Sequence, residues 1–365
     1  MIYLDWAATT PICAAARKAI TEHLNDFGNP SSAYELGRKS RILIENARER
    51  IANCINAEPS EVYFTSGGSE ANTWALNDKR SLAPNIEHHS ISPYFRVGLD
   101  SDGILSAERV DSVMKNLAYN WGQPVNILSC ALVNNEIGTI QPIKELVKVA
   151  HNNHALFHTD AVQGIGHIPV DVKDLNCDML SASGHKFGAP KGIGFLYVTN
   201  GVRIYPLIHG GKQEQGMRGG TENILGIVSM AAALEDAVEH MEERNQYIET
   251  LRNGMLDKLL QIEGSHLNGS LENRVSSNIN IRFDGVSGAR LVTLCDLYGI
   301  CISSGSACNE GEQTPSHVLK AIGLSDEDAL NSVRITIGHY NTEKELECAA
   351  SVIAKLVERI RSDEE

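Results

Sequence analysis

The 365-residue chain has no Cys-x-x-Cys pair and no apolar run that approaches the length of a membrane-spanning helix. Its eight cysteines are spaced as is typical of a protein from a reducing compartment, and we expect most of them to be small core residues. The first residues, Met1-Ile-Tyr-Leu-Asp5, lack a basic segment followed by an apolar one. We therefore expect no signal peptide, no membrane association and a cytoplasmic location.

Basic residues are also in short supply, with 32 Lys and Arg against 46 Asp and Glu and a net charge of -14. This balance disfavours direct nucleic-acid binding as the main function, because such binding depends on neutralising phosphates. It fits a soluble protein or one that docks basic partners. The composition, 42% hydrophobic and 21% charged, is that of a globular protein, and the length suits two domains.

Strand and helix patterns alternate between residues 14 and 199, which predicts an α/β fold with a mostly parallel sheet covered by helices. Residues 223–261 then predict one or two long helices, followed by a shorter mixed unit. We predict a large domain at residues 13–254. A smaller α+β domain would combine residues 1–12 with residues 255–365.

Lys186 follows an apolar strand and lies in the turn-forming run Ser183-Gly-His-Lys-Phe-Gly188. A lysine at the end of a buried strand is desolvated, so its amine is more easily neutral and nucleophilic. A Schiff base with an aldehyde cofactor requires such an amine. The alternative is a solvated loop lysine.

Two further strand ends carry polar groups. Asp160 ends another apolar strand, where a carboxylate can pair with a protonated pyridine nitrogen, and Gln163 lies one turn further on. The alternative role for Asp160 is to cap the next helix. After a third strand, the N–H groups of Gly68 and Ser69 can face an anion at a helix start, although an ordinary capped helix has the same pattern.

Asn135 follows an apolar strand at the same predicted sheet edge, and His88 lies in the loop Ile86-Glu-His-His-Ser90. An imidazole can stack on a cofactor ring and transfer protons near neutral pH, although a surface histidine is the alternative. The spacing of His151, His154 and His158 does not predict a metal site, because Asn152-Asn153 interrupts the helix.

Cys308 stands among small and flexible residues, which indicates a loop thiol that can ionise and attack. The alternative is an incidental loop cysteine. Arg334 lies in an otherwise apolar strand, and a buried arginine needs an anion that its fork can match, such as a carboxylate. That anion can be a ligand or a structural Asp or Glu.

Together these motifs resemble the cysteine desulfurases of the NifS/IscS type, which are pyridoxal-phosphate enzymes of the class V aminotransferase superfamily. The resemblance covers nearly the whole chain. It is carried by Tyr3-Leu-Asp-Trp-Ala-Ala-Thr-Thr-Pro11, Phe27-Gly-Asn-Pro-Ser31, Phe64-Thr-Ser-Gly-Gly-Ser-Glu70, Val133-Asn-Asn-Glu-Ile-Gly138, Ser183-Gly-His-Lys186, His209-Gly-Gly211, Gly216-Met-Arg-Gly-Gly-Thr221 and Ser303-Ser-Gly-Ser-Ala-Cys308.

The resemblance implies fold type I of the pyridoxal-phosphate transferases and a role for each matching residue. Lys186 would bind the cofactor as a Schiff base, Asp160 would pair with its pyridine nitrogen and Gln163 with its ring hydroxyl oxygen, while His88 would stack on the ring and act in catalysis. The phosphate would be held by Gly68, Ser69, Ser183 and His185, joined by Thr221 from the second subunit of a homodimer. Substrate would be positioned by Asn29, Asn135 and Arg334, with Arg334 on its carboxylate, and Cys308 would be the nucleophile. No metal is implied.

The implied reaction converts L-cysteine to L-alanine and leaves the sulfur as a persulfide on Cys308. The sulfur would pass to an acceptor protein in iron–sulfur cluster assembly, tRNA thiolation or DNA phosphorothioation. The alternative is another enzyme of the superfamily, such as an aminotransferase or a selenocysteine lyase, which would not need Cys308.

Three departures from the family pattern bear on these roles. Trp6 replaces the usual tyrosine. Residues 72–99 form a shorter segment than usual, which predicts the loss of a strand and part of a helix and makes His89 a competitor of His88. The acidic residues after Cys308, Glu310 and Glu312, would raise its thiol pKa and favour a basic acceptor. These acidic residues, together with the expected lack of a C-terminal extension after the last predicted helix, suggest a specialised acceptor.

Overall fold

The computed structural model describes residues 1–304, 308–309 and 312–364, with only the backbone described at residues 308, 309, 312, 313 and 364. The strands are β1 (Ile2–Tyr3), β2 (Val62–Thr65), β3 (Ser81–Pro84), β4 (Phe95–Val97), β5 (Ile127–Ser129), β6 (Leu156–Asp160), β7 (Met179–Ser183), β8 (Gly194–Val198), β9 (Ser265–Leu267), β10 (Asn278–Phe283), β11 (Ile300–Cys301), β12 (Cys308–Asn309), β13 (Glu312–Gln313) and β14 (Ser332–Thr336). The α-helices are α1 (Ala14–His23), α2 (Glu35–Cys54), α3 (Gly68–Leu76), α4 (Ala107–Trp121), α5 (Ile143–Asn152), α6 (Val172–Leu175), α7 (Ile224–Glu239), α8 (Met241–Leu259), α9 (Gly288–Leu297), α10 (His317–Ala321), α11 (Asp326–Leu330) and α12 (Glu343–Glu364).

The main sheet has the strand order β2-β8-β7-β6-β5-β3-β4. Strands β7, β6, β5, β3 and β4 run parallel, and β8 is antiparallel to both of its neighbours. The central strands are buried on both faces, as expected when helices cover a parallel sheet. Polar residues that follow the parallel strands therefore meet at one edge.

Helix α5 shows how the sequence pattern covers this sheet. Its buried residues Ile143, Leu146, Val147 and Ala150 recur at spacings of three and four, which places them on one face. That face contacts β6, and the residues of α5 belong to the first hydrophobic core. The helix thereby fixes the strand that ends at Asp160.

A second core lies under a smaller antiparallel sheet with the order β14-β10-β9. It includes Leu4 from the N-terminal segment, whose strand β1 pairs in parallel with β11. Helices α8 and α12 pack against each other and contribute to the same core. The N-terminus is thus joined to the C-terminal part of the chain.

The division at residues 254/255 stays a prediction. Ile248 and Leu251, which precede it, pack in the second core. Val318 and Leu319, which follow it, pack in the first core. The two packing units are therefore interleaved along the sequence at these positions.

The segment at residues 72–99 contains two strands that sequence periodicity did not predict, β3 and β4. They pair in parallel. The connection between them, residues 85–94, is fully described and contains no helix. In the described part of the chain, no helix combines the length and apolarity needed to cross a membrane.

Candidate active site

A cavity of about 330 Å³ lies at the edge where β3, β5, β6 and β7 end. Its size is within the range of small-molecule sites, and its place is the one expected for ligands of open α/β sheets. The lining residues are Ala7, Ala8, Gly68, Ser69, Asn72, Ile86, His88, Ser90, Ala131, Val133, Asn135, Asp160, Val162, Gln163, Ser183, His185, Lys186 and Arg334. Most residues singled out from the sequence are among them.

Lys186 enters the cavity from a 3₁₀ turn, Gly184–Lys186, directly after β7. Its Nζ donates hydrogen bonds to the main-chain oxygens of Ala7 at 2.6 Å and Ala8 at 2.9 Å. Burial, helped by the nearby Arg334, lowers the pKa of Lys186 to about 8, against the opposing effects of Asp160 and Asp5. About a tenth of the amine is therefore neutral at pH 7, far more than for a lysine of ordinary pKa.

Asp160, the last residue of β6, is buried in the cavity wall. Its Oδ1 accepts from the Val162 N–H at 2.9 Å, and its Oδ2 accepts from Asn72 Nδ2 at 2.6 Å. Burial raises the pKa of Asp160, whereas these hydrogen bonds act in the opposite direction. A cation placed beside it would further favour the charged form.

His88 lies in the loop after β3 and lines the cavity. Its Nδ1 is 2.7 Å from Ser90 Oγ and 3.1 Å from the Ser90 N–H donor. Burial lowers the pKa of His88, which favours the neutral ring. His89 instead packs against His317 with the two rings tilted and their centroids 4.8 Å apart, and it is not among the lining residues.

The turn between β2 and α3 provides a cradle at a helix N-terminus. Gly67 has φ +154°, a conformation that favours glycine, and a Cβ on Gly68 would lie 2.6 Å from Val162 Cγ2. Ser69, Ser183 and His185 line the cavity beside this turn. Burial lowers the pKa of His185 to about 4, so it is neutral and can donate to an anion from one nitrogen.

Arg334 lies on β14 and brings the smaller sheet to the cavity. It donates to Asp5 Oδ1 at 2.7 Å and to the Asn135 carbonyl at 3.0 Å. Its buried Nε has no hydrogen-bond partner among the described residues. Gln163 Nε2 donates to the Ala7 carbonyl at 2.9 Å, the oxygen that also binds Lys186.

Two predicted residues, Asn29 and Thr221, do not line this cavity, and a third, Cys308, cannot be placed from the described side chains. Asn29 is exposed in the loop before α2, where its Oδ1 accepts from the Ser31 N–H. Thr221 lines a separate cleft with Glu214 and Arg218. The Cys308 side chain lies outside the described residues; its backbone belongs to β12, which pairs with β13.

Sequence reasoning did not single out Asn72, Ser90, Ala7 and Ala8. Asn72 carried a signal, because it lies three residues after Ser69 on a predicted helix and hence on the same face. Ala7 and Ala8 contribute main-chain oxygens, for which side-chain identity gives no signal. Among the described residues, no group of three or more His, Cys, Asp or Glu side chains is arranged to hold a metal.

Comparison with known proteins identifies relatives over the whole chain. The family model described as aminotransferase class-V matches residues 2–348. The cysteine desulfurase IscS of Methanosarcina thermophila is 40% identical, over 99% of this chain and 93% of its own. A NifS-like protein from Rickettsia africae has a similar structure, with a TM-score of 0.89 and 30% identity over 99% of each chain. SspA in complex with cysteine gives a TM-score of 0.79 and 34% identity, covering 94% of this chain and 100% of SspA.

Proposed function

The chain belongs to the class-V aminotransferase family, and we propose that it is a pyridoxal-phosphate-dependent cysteine desulfurase that converts L-cysteine to L-alanine. The observation that carries this proposal is the position of Lys186. Its partly neutral amine lies at the end of a parallel strand, in the same cavity as the Asp160 carboxylate. The family match and the similarity to the named desulfurases support the choice among lysine-dependent reactions.

The residues of the cavity fit the cofactor. The glycine turn and the start of α3 provide N–H donors for a phosphate, while the buried Asp160 is suited to a cationic pyridine ring. Ser69, Ser183 and His185 would complete the phosphate site, and Gln163 would face the ring hydroxyl. When bound, the cofactor supplies an electron sink for the carbanion formed at the substrate.

The substrate would lie between the two sheets. Arg334, already bound to Asp5, retains a buried Nε without a partner and would bind the carboxylate of L-cysteine, with Asn135 beside it. Lys186 Nζ would remove the proton from Cα, which requires its neutral form. SspA is a relative whose structure is a complex with cysteine.

Cys308 would take the sulfur. Its thiolate would attack the sulfur of bound cysteine as the C–S bond breaks, leaving a persulfide on Cys308 and, after protonation of the carbon skeleton, L-alanine. The persulfide would then pass to an acceptor protein. We propose that the active form is a homodimer to which Thr221 contributes from the second subunit.

The test is alanine production from L-cysteine with a thiol reductant, comparing wild type with Cys308→Ser and Cys348→Ser. Cys348 is an exposed cysteine on α12 and serves as the matched control. We expect wild type and Cys348→Ser to produce alanine at the same rate and Cys308→Ser to lose production. Equal production by Cys308→Ser would exclude Cys308 as the nucleophile and favour the lyase alternative.

A second experiment identifies the protein that accepts the sulfur. Capture of basic sulfur-carrier proteins on the persulfide form, with Cys308→Ser as the control bait, should identify the acceptor, and a specialised acceptor would belong to tRNA thiolation or DNA phosphorothioation. Recovery of an iron–sulfur scaffold alone would contradict a specialised acceptor.

A further inference from the structure

A continuous set of hydrogen bonds joins the ring of His88 to the carboxylate of Asp160. Asn72 Nδ2 lies 2.6 Å from Asp160 Oδ2 and 2.9 Å from Ser90 Oγ. Ser90 Oγ lies 2.7 Å from His88 Nδ1, and the Ser90 N–H donates to the same nitrogen at 3.1 Å. All four residues line the cavity, and Asn72 is buried in its wall.

The direction of each hydrogen bond follows from the donors that are present. An ionised carboxylate only accepts, so the Asn72 group facing Asp160 is the NH₂, whose second hydrogen points to Ser90 Oγ. The Ser90 hydroxyl accepts that hydrogen and directs its own towards His88 Nδ1. The Ser90 backbone N–H also needs an acceptor at Nδ1. Nδ1 therefore carries a lone pair, and the ring hydrogen is on Nε2.

We infer that Ser90 and Asn72 are positioning residues, which hold His88 as the Nε2–H tautomer and orient its ring in the cavity. Asn72 acts through Ser90. Its second hydrogen bond, to Asp160, fixes the position of the Asn72 amide relative to the carboxylate that would bind the cofactor. The role of His88 in the reaction rests on the proposed function; its tautomer does not. With Nδ1 occupied, only Nε2 can exchange a proton with a bound molecule.

The charged and titratable groups around His88 act in both directions on its protonation. Asp160 favours the imidazolium, whereas His89, Lys186 and His317 disfavour it, and burial disfavours it most. A proton on Nδ1 would point at the hydrogen of the Ser90 N–H, and the two donors would repel each other. The Ser90 contacts therefore add to the preference for a neutral ring.

The experiment measures the His88 tautomer by NMR of protein with ¹⁵N-labelled histidine rings, with and without pyridoxal phosphate, using His88→Gln to assign its signals. We expect an unprotonated Nδ1 in wild type and in Ser90→Thr, which retains the hydroxyl. Ser90→Ala should shift the ring towards the Nδ1–H tautomer and the imidazolium. Its kcat/KM for alanine production should fall about three- to tenfold, the equivalent of one hydrogen bond. The acidic limb of the pH profile should move to higher pH, and Ser90→Thr should restore both.

Ser92→Ala is the matched control, because Ser92 is exposed two residues further along the same loop. It should leave the tautomer and the pH profile unchanged. A protonated Nδ1 in wild type, or a Ser90→Ala tautomer identical to wild type, would overturn the inference. The tautomer is measured without turnover. A protein inactive on L-cysteine would therefore refute the proposed function, and the NMR result for the His88 tautomer would still be interpretable.

Discussion

At the residue scale, the charge of Lys186 is decided by what surrounds its amine. Its hydrogen-bond acceptors are two main-chain oxygens, which carry no full charge. The positive charge of the nearby Arg334 disfavours a second positive charge on Lys186. The carboxylates of Asp5 and Asp160 compensate only in part. Desolvation therefore prevails and lowers the pKa of Lys186 to about 8.

This pKa predicts how fast cofactor-free protein captures pyridoxal phosphate at different pH. The neutral amine is the reactive form, so the rate should rise about tenfold between pH 7 and 9 and then level off. A lysine with the ordinary pKa of 10.5 would continue to gain above pH 9. Stopped-flow absorbance of the bound cofactor measures the rate.

Two variants serve as controls for that profile. Lys186→Ala should abolish covalent capture, whereas Lys191→Ala, at an exposed position five residues later, should reproduce wild type. A rate that is already level at pH 7, or one that still rises steeply at pH 10, would contradict the lowered pKa.

At the scale of the elements, local pattern predicted the strands and helices that have one clear period, but not β3 and β4. Ser81–Pro84 lies next to the edge strand β4 and is buried, yet it is too short to show a period and ends in proline. Asp160 and Lys186 were found because each follows a longer apolar strand. The Asn72–Ser90 contact was not, because it joins a helix to a loop whose position depends on β3.

Helix α2, strand β2 and the turn at Gln213–Gly216 are joined by a buried ion pair. Glu214 accepts from Arg48 Nη1 at 2.7 Å and Nη2 at 2.8 Å, and from the Phe64 N–H at 2.9 Å. Both side chains are less than a tenth exposed. Since removal of one partner leaves the other charge buried, the pair is a sensitive point of this part of the fold.

We predict that Glu214→Gln lowers the free energy of unfolding by about 3–5 kcal/mol, measured by urea denaturation. The neutral amide cannot compensate the Arg48 charge. Glu22→Gln, in the exposed Lys18–Glu22 pair at 3.8 Å, should change stability by less than about 0.5 kcal/mol. Equal effects of the two substitutions would show that burial does not set the energy of the Arg48 pair.

At the scale of the whole molecule, the N-terminal segment connects the second core to the lysine. Leu4 is buried in that core, while Ala7 and Ala8 accept from Lys186 in the cavity. Between them, Trp6 packs against Gly338, where an added Cβ would approach the indole ring to 2.1 Å. The fit at Trp6 therefore links the C-terminal unit to the position of the Ala7 carbonyl.

We predict that Gly338→Ala destabilises the protein by about 1–3 kcal/mol, because the indole must move. The same displacement should shift the Ala7 carbonyl and accelerate cofactor loss during dialysis. Thermal unfolding and cofactor absorbance measure the two effects. Gly254→Ala, in α8 with no atom within 4 Å of the new Cβ, should instead be neutral or stabilising by up to about 1 kcal/mol. Destabilisation confined to Gly254→Ala would contradict the role of the Trp6 contact.

The pairing of β1 with β11 also sets an order of events during synthesis. Strand β1 leaves the ribosome long before its partner, Ile300–Cys301, and can pair only when about 300 further residues have been translated. Until then the carbonyls that hold Lys186 lack the support of this pairing, although the central strands of the main sheet can already pair. A nascent chain truncated before residue 300 should therefore form the sheet that carries the lysine without the backbone oxygens that dock it, so that mature cofactor affinity arises after translation.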